Sequence, residues 1–225
     1  MKRILQINAS LNSDKGQSSQ LATAFVTALR EHNPQAVVTR RDLALDPVPH
    51  LDAARFGAFI AKPEVRTPEQ QAVIDDSNAL IAELRDADTL VIGVPLYNFG
   101  VPSQLKSWFD HIARAGETFR YSEKGPVGLM TGKQAYVFAA RGGLYAGTPR
   151  DSQTGFIQTI LNFVGIQDVQ FVYAEGLAIS EASRVESLAT AHAAISKHAR
   201  THAADRSENA ANHTDAAQPA DAIAA

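Results

Sequence analysis

Five short apolar runs alternate with amphipathic helical segments along this chain, and that alternation limits the fold more than any other feature of the sequence. The runs are Arg3 to Asn8, Val37 to Arg41, Thr89 to Val94, Ala135 to Ala139 and Val169 to Tyr173. Each is short, rich in β-branched or aromatic residues, and reads as a strand. Between them, Leu21, Ala24, Phe25, Ala28 and Leu29 share one helical face. Val73 to Leu84, the stretch carrying Leu105, Trp108, Phe109 and Ile112, and Phe156 to Val164 follow the same period, and residues 181 to about 202 close the pattern. Strands joined through helices by right-handed crossovers give one α/β domain over residues 1–202, a doubly wound parallel sheet of five strands in the order 2-1-3-4-5. Three connections, 43–68, 116–132 and 142–151, exceed the usual two to six residues and are read as functional loops.

Composition removes several classes of function. The 225 residues contain no cysteine, which excludes disulfides, thiol catalysis and thiolate metal sites. A formal charge of -3 with 20% charged residues describes a soluble protein with no nucleic-acid partner. No run approaches the ~20 apolar residues of a membrane span, and the first residues are too few for a signal-peptide core, so no membrane and a cytoplasmic location are expected. Residues 203–225 hold ten alanines, four acids and one arginine, with Ile223 the one large aliphatic residue; such a tail cannot bury enough apolar surface to fold by itself and is read as disordered or partly helical.

The chemistry gathers in the loops after the first, third and fourth strands, which are neighbours in that strand order. After the first, Ser10 precedes Gly16-Gln17-Ser18-Ser19 at a helix start, where free N–H groups and the helix dipole favour an anion. Ser18 and Ser19 read equally well as ordinary helix N-caps. Neither G-x-G-x-x-G nor G-x-x-x-x-G-K-[ST] is present, so a dinucleotide fold or P-loop is not supported. After the third strand, Gly93-Val94-Pro95-Leu96-Tyr97-Asn98-Phe99-Gly100-Val101-Pro102-Ser103 joins strand to helix: the prolines restrict the backbone, Asn98 brings donors and acceptors, and Phe99 brings a flat face. After the fourth, Ala140-Arg141-Gly142-Gly143 lets a ligand approach main-chain N–H groups. A phosphate cradle, a hydrogen-bonding loop and a glycine wall are what a flavin mononucleotide (FMN) needs.

These residues, together with Gln104-Leu105-Lys106, Arg114-Ala115-Gly116, Thr118-Phe119, Thr131-Gly132-Lys133, Gly165-Ile166 and Ala174-Glu175-Gly176, resemble the FMN-dependent NADH azoreductases, a branch of the NAD(P)H quinone reductase and flavodoxin-like superfamily. The resemblance runs from about residue 2 to 200. It implies a flavodoxin-like sheet, one non-covalent FMN per chain held by Ser10, by Gly16, Gln17 and Ser18, by Leu96, Tyr97, Asn98 and Phe99, and by Ala140, Arg141, Gly142 and Gly143, and NADH as electron donor. It implies two-electron, ping-pong reduction of quinones and cleavage of azo compounds to amines, in a homodimer whose shared pocket draws on Tyr121 and Phe163. Gly16 and Ala140 stand where the family often carries hydroxyl residues, which removes two hydrogen bonds to FMN.

Helical spacing alone assigns Phe163 to the core with Phe156 and Ile160. His198 and His202 have metal-pair spacing, yet no H-E-x-x-H completes it and no metal is expected; His50 and His111 read as structural, and G-x-S-x-G is absent, against a hydrolase. Two other classes remain open: a flavodoxin-like electron carrier or general NAD(P)H:FMN reductase, and a non-catalytic interaction protein on the same fold.

Overall fold

A computed structural model describes residues 2–215, with side-chain surroundings for residues 2–202. Five parallel strands form the sheet: β1 (Arg3–Asn8), β2 (Val37–Asp42), β3 (Thr89–Pro95), β6 (Gln134–Ala140) and β7 (Asp168–Ala174), in the order β2-β1-β3-β6-β7. Along the chain this departs from 2-1-3-4-5, because the 116–132 connection is not a loop. It contains an antiparallel hairpin, β4 (Phe119–Ser122) and β5 (Gly125–Gly128), outside the main sheet. Gly125 turns it with φ 107°, a conformation that favours glycine.

The period-2 alternation of the strands separates two cores. Leu5, Ile7, Leu90, Ile92, Val94, Ala135 and Val137 face α3 (Pro68–Asp86), α4 (Ser103–Ile112) and α5 (Ser152–Val164); Ile4, Val91, Tyr136, Phe138 and Val172 face α1 (Gln17–His32) and α6 (Glu181–Asp215). Phe25 of α1 is fully buried between Tyr136 and Phe138, ring centroids 4.5 and 5.2 Å away.

The 43–68 connection also carries structure. Asp52 caps α2 (Ala53–Ile60) by accepting the Arg55 N–H at 2.8 Å, and α3 starts at Pro68 rather than near Val73, because Thr67 and Gln70 form a capping box with proline at N1. At the far end, α6 continues past residue 202, where His202 is still buried against Tyr136. The expectation for residues 203–225 therefore falls on a helix backbone through Asp215, and beyond it outside the described residues. Among the described residues no helix is long and apolar enough to cross a membrane.

Candidate functional site

Loops leave the carboxyl edge of the sheet side by side after β1, β3 and β6. Main-chain bonds lock them together, with Ala9 N–H donating to Gly93 O at 3.0 Å and Leu96 N–H to Ala140 O at 3.1 Å. This is the edge at which open α/β sheets take their ligands.

The first loop delivers the start of α1. Gly16 is the N-cap and no side chain caps the helix, so Ser18 and Ser19 are not caps but lie inside the first turn. Both are fully buried, and among the described residues their hydroxyls have no hydrogen-bond partner. A buried unpaired hydroxyl costs about 1–3 kcal/mol. Two in one turn, beside the free N–H groups of a helix start, match the acceptor oxygens of a phosphate. Gly93 makes the arrangement possible, since a Cβ there would fall 2.8 Å from the Ser18 carbonyl oxygen. Ser10 is buried beside it, 3.4 Å from the Tyr97 hydroxyl, and accepts the Asn12 N–H at 3.2 Å. Gln17 spends its amide on Gln20 at 3.2 Å.

In the second loop, Tyr97 and Gly100 exchange main-chain hydrogen bonds of 3.2 and 2.9 Å around Asn98 and Phe99, whose φ values are 48° and 62°. That is a type I′ turn. Asparagine tolerates the left-handed region; phenylalanine rarely does, at a cost of order 1–3 kcal/mol. The surroundings hold the turn: the Ser152 hydroxyl donates to the Phe99 carbonyl, and Tyr145 meets the Phe99 ring edge-on at 5.7 Å. The Asn98 side chain is exposed, as is the Phe99 ring. Leu11, Leu96 to Asn98 and Val101 to Gln104 line a cleft of 670 Å³.

In the third loop the carbonyls of Gly142 and Gly143 accept the N–H groups of Ala178 and Gly176 at 3.0 and 2.9 Å. Their own N–H groups donate to no group among the described residues. Ala140 is buried, its carbonyl held by Leu96. Arg141 sits differently from its neighbours: its side chain is fully buried, donating to Asp151 (3.0 Å), Thr154 (3.0 Å), Gln153 (3.3 Å) and Glu175 (3.1 Å), with its guanidinium 4.9 Å from the Tyr173 ring centroid. The main-chain N–H of Arg141 is committed to Ala174 O at 2.8 Å. Arg141 therefore shapes the loop from beneath and has no free polar group to offer a ligand. Burial pushes the Asp151 carboxyl up, but the backbone N–H and hydroxyl of Thr154 and the Arg141 guanidinium outweigh it and hold the pKa below its ordinary value.

Tyr121 and Phe163 are not at this edge. Ser152, at the first turn of α5, touches Phe99, whereas Phe163 lies in the last turn, about 16 Å further along the axis at 1.5 Å per residue. There it packs on Phe119 at 4.3 Å, with Tyr121 edge-on to Phe119 at 5.5 Å. A Cβ on Gly128 would collide with the Gly165 backbone, so the hairpin is pressed onto the end of α5. Phe163 thus joins both the hairpin cluster and the flank of the core, as helical spacing suggested. Neither residue lines the cleft within its own chain.

His198 and His202 both face Tyr136, ring centroids 5.7 and 5.8 Å away, and no group of three or more potential metal ligands occurs among the described residues. His50 meets the Ser107 hydroxyl at 3.1 Å. Residue-by-residue reading missed Gln104 in the cleft wall, Tyr145 beside Phe99, and Gln153 and Glu175 beneath the loops. Gln104 and Glu175 carried a signal, since both stand in stretches that mark the resemblance; Tyr145 and Gln153 carried none.

Residues 2–199 match the Flavodoxin_2 family, described by its flavodoxin-like fold. Among curated relatives, a protein of Cellvibrio japonicus named FMN-dependent NADH:quinone oxidoreductase is 54% identical over 181 residues, covering 80% of this chain and 91% of that protein. One of the same name from Burkholderia thailandensis is 53% identical, with coverage of 87% and 98%. Among solved structures, an FMN-dependent NADH-azoreductase of Bacillus anthracis in complex with FMN superposes with a TM-score of 0.82 at 30% identity, covering 90% of this chain and 100% of that one. Fold, site edge and matched length agree, and the chain belongs to the flavodoxin-like fold family.

Proposed function

We propose that this chain is an FMN-dependent NADH:quinone oxidoreductase that also reduces azo compounds. The observation that carries the reading is the pair of buried, unpartnered hydroxyls of Ser18 and Ser19 at an uncapped helix start, set beside the exposed Asn98-Phe99 turn and the free N–H groups of Gly142 and Gly143. Names and lengths of the relatives support it.

In this reading Ser10, Gly16, Gln17 and Ser18, with Ser19, hold the FMN phosphate, while Leu96 to Phe99 and the Ala140–Gly143 segment hold the ring system. Bound there, FMN would supply the redox chemistry, hydride acceptance from NADH and two-electron reduction of the acceptor. The protein contributes the frame, since the Asn98-Phe99 turn is pinned by Ser152 and Tyr145. One cleft serves both flat substrates, so donor and acceptor bind in turn.

The functional unit in this reading is a homodimer. Among the described residues Tyr97 is the one aromatic that lines the cleft, with Phe99 and Tyr145 beside it, while Tyr121 and Phe163 lie at the far end of α5; a second copy placed by a two-fold axis supplies them. NADH as donor puts the enzyme in the cytoplasm.

Reconstituting the apoprotein with FMN, followed by gel filtration and NADH oxidation with benzoquinone or methyl red, tests the reading. One FMN retained per chain and acceptor-dependent NADH consumption are expected. Loss of the flavin on the column, or no acceptor-dependent turnover, overturns it.

A further inference from the structure

The Gly142-Gly143 wall is fixed from behind by one carboxylate. Glu175 Oε1 accepts the N–H groups of Tyr145 and Ala146, each at 2.9 Å, and Oε2 accepts the Ala146 N–H again at 3.2 Å. The same Oε1 takes the buried Arg141 guanidinium at 3.1 Å. Glu175 is itself held, because its N–H donates to the Ser187 hydroxyl of α6 at 2.9 Å. The segment after it, Gly176 to Ala178, gives its N–H groups to the carbonyls of Gly143, Arg141 and Gly142. The whole 141–146 loop is thus clipped at both ends onto residues 175–178. Since the N–H and C=O of one peptide unit point in opposite directions, anchoring the carbonyls of Arg141 and Gly142 on Leu177 and Ala178 turns the N–H groups of Gly142 and Gly143, which share those peptide units, away from residues 177 and 178. A charged acceptor makes a stronger hydrogen bond than a neutral one, and among the described residues no other side chain accepts the Tyr145 or Ala146 N–H.

Resting on the FMN reading, we propose that Glu175 is a positioning residue for the flavin: it touches no ligand, and it sets cofactor affinity by holding the 142–146 wall. Asp151 provides the internal control. It pairs with the same Arg141 guanidinium but meets neither Tyr145 nor Ala146, so Asp151→Asn weakens the pairing of the buried cation and leaves the wall's clip intact.

The experiment compares FMN dissociation constants, apoprotein Tm and amide hydrogen exchange for wild type, Glu175→Gln, Glu175→Ala and Asp151→Asn. Glu175→Ala is expected to weaken FMN binding at least about tenfold, the effect of a lost charged hydrogen bond. Glu175→Gln, which keeps one acceptor oxygen, falls between it and wild type, and Asp151→Asn stays within about twofold. In the apoproteins, exchange at the Tyr145 and Ala146 amides speeds up in both Glu175 variants and not in Asp151→Asn. Equal loss of affinity in the Glu175 and Asp151 variants, or unchanged affinity in Glu175→Gln, overturns the proposal. If Glu175→Ala does not fold, Glu175→Gln decides. Failure of the wild type to bind FMN overturns the functional reading instead, and the exchange rates then judge the clip alone.

Discussion

The Ser10 side chain occupies the space a side chain at residue 16 would need: an ideal Cβ on Gly16 falls 2.5 Å from Ser10 Cβ and closer still to its hydroxyl. A hydroxyl residue at 16, as in the resembled family, is incompatible with Ser10 in this position. Gly16→Ser is therefore expected to destabilise the apoprotein by about 1–3 kcal/mol through overpacking and to weaken FMN binding rather than restore a contact. Combining it with Ser10→Gly should recover much of the stability. Denaturant melts of the two variants check this, and a Gly16→Ser protein as stable as wild type would contradict it.

Removing Arg141 leaves Asp151 and Glu175 facing each other without their cation. Arg141→Met is expected to cost about 3–5 kcal/mol, the usual penalty for breaking a buried ion pair from one side. Equilibrium unfolding in urea measures it; a loss below about 1 kcal/mol would show that the network is dispensable.

His111 is fully buried, and its Nδ1 lies 2.9 Å from the Ser107 carbonyl. Burial lowers its pKa, opposed by the Ser107 backbone contact, while Arg55 pushes it down further and Asp110 and Asp76 push it up. The unfolded chain then binds a proton more readily than the folded one, so the contribution to stability is present above the unfolded value near 6.5 and is lost as pH falls through the folded value. His198, lowered by burial and Lys197, acts in the same direction. Unfolding free energy should fall between pH 7 and 5, and less steeply in His111→Gln. An identical slope in that variant excludes His111 as a source.

Tyr121 is 74% exposed, so Tyr121→Ala should change stability by no more than about 0.5 kcal/mol. If a second copy brings it to the cleft, quinone turnover falls several-fold while FMN stays bound. Phe163→Ala should do the same with an added stability cost, because its ring packs on Phe119. Sedimentation at micromolar concentration should give a dimer; a fully active monomer would falsify the shared cleft.

Truncation distinguishes the end of the domain from the tail. Ending the chain after Thr201 removes His202, which lies 3.3 Å from the Tyr136 hydroxyl, and should lower Tm by a few degrees. Ending it after Asp215 should leave Tm and FMN binding unchanged.

The strands and their neighbours were legible because their alternation is strict: Leu5 and Ile7 against Ile4, Leu90, Ile92 and Val94 against Val91. The hairpin was not, since Arg120, Ser122, Lys124 and two glycines give no apolar run, and its stability comes from Phe119 and Gly128 meeting α5. Helix α2 hid behind Pro47, Pro49 and Pro63, which read as loop. At the candidate site, glycine and hydroxyl spacing marked all three loops. Arg141 came in with the 140–143 segment that the resemblance implies, and sequence order says nothing about which way its side chain turns. The carboxylates that claim it are 10 and 34 residues away.

Helix α5 touches both halves of the proposed chemistry, with Ser152 on the Phe99 carbonyl at one end and the Val164 carbonyl accepting the Met130 N–H at the other. Its 13 residues amount to about 20 Å of stiff rod. In a two-fold assembly that rod acts as a spacer, fixing how far the aromatic wall lent to a neighbour stands from the cleft a subunit keeps for itself. Changing its length by a single residue would rotate one end by about 100° relative to the other and put the two clefts out of step, even though every residue lining them stayed the same.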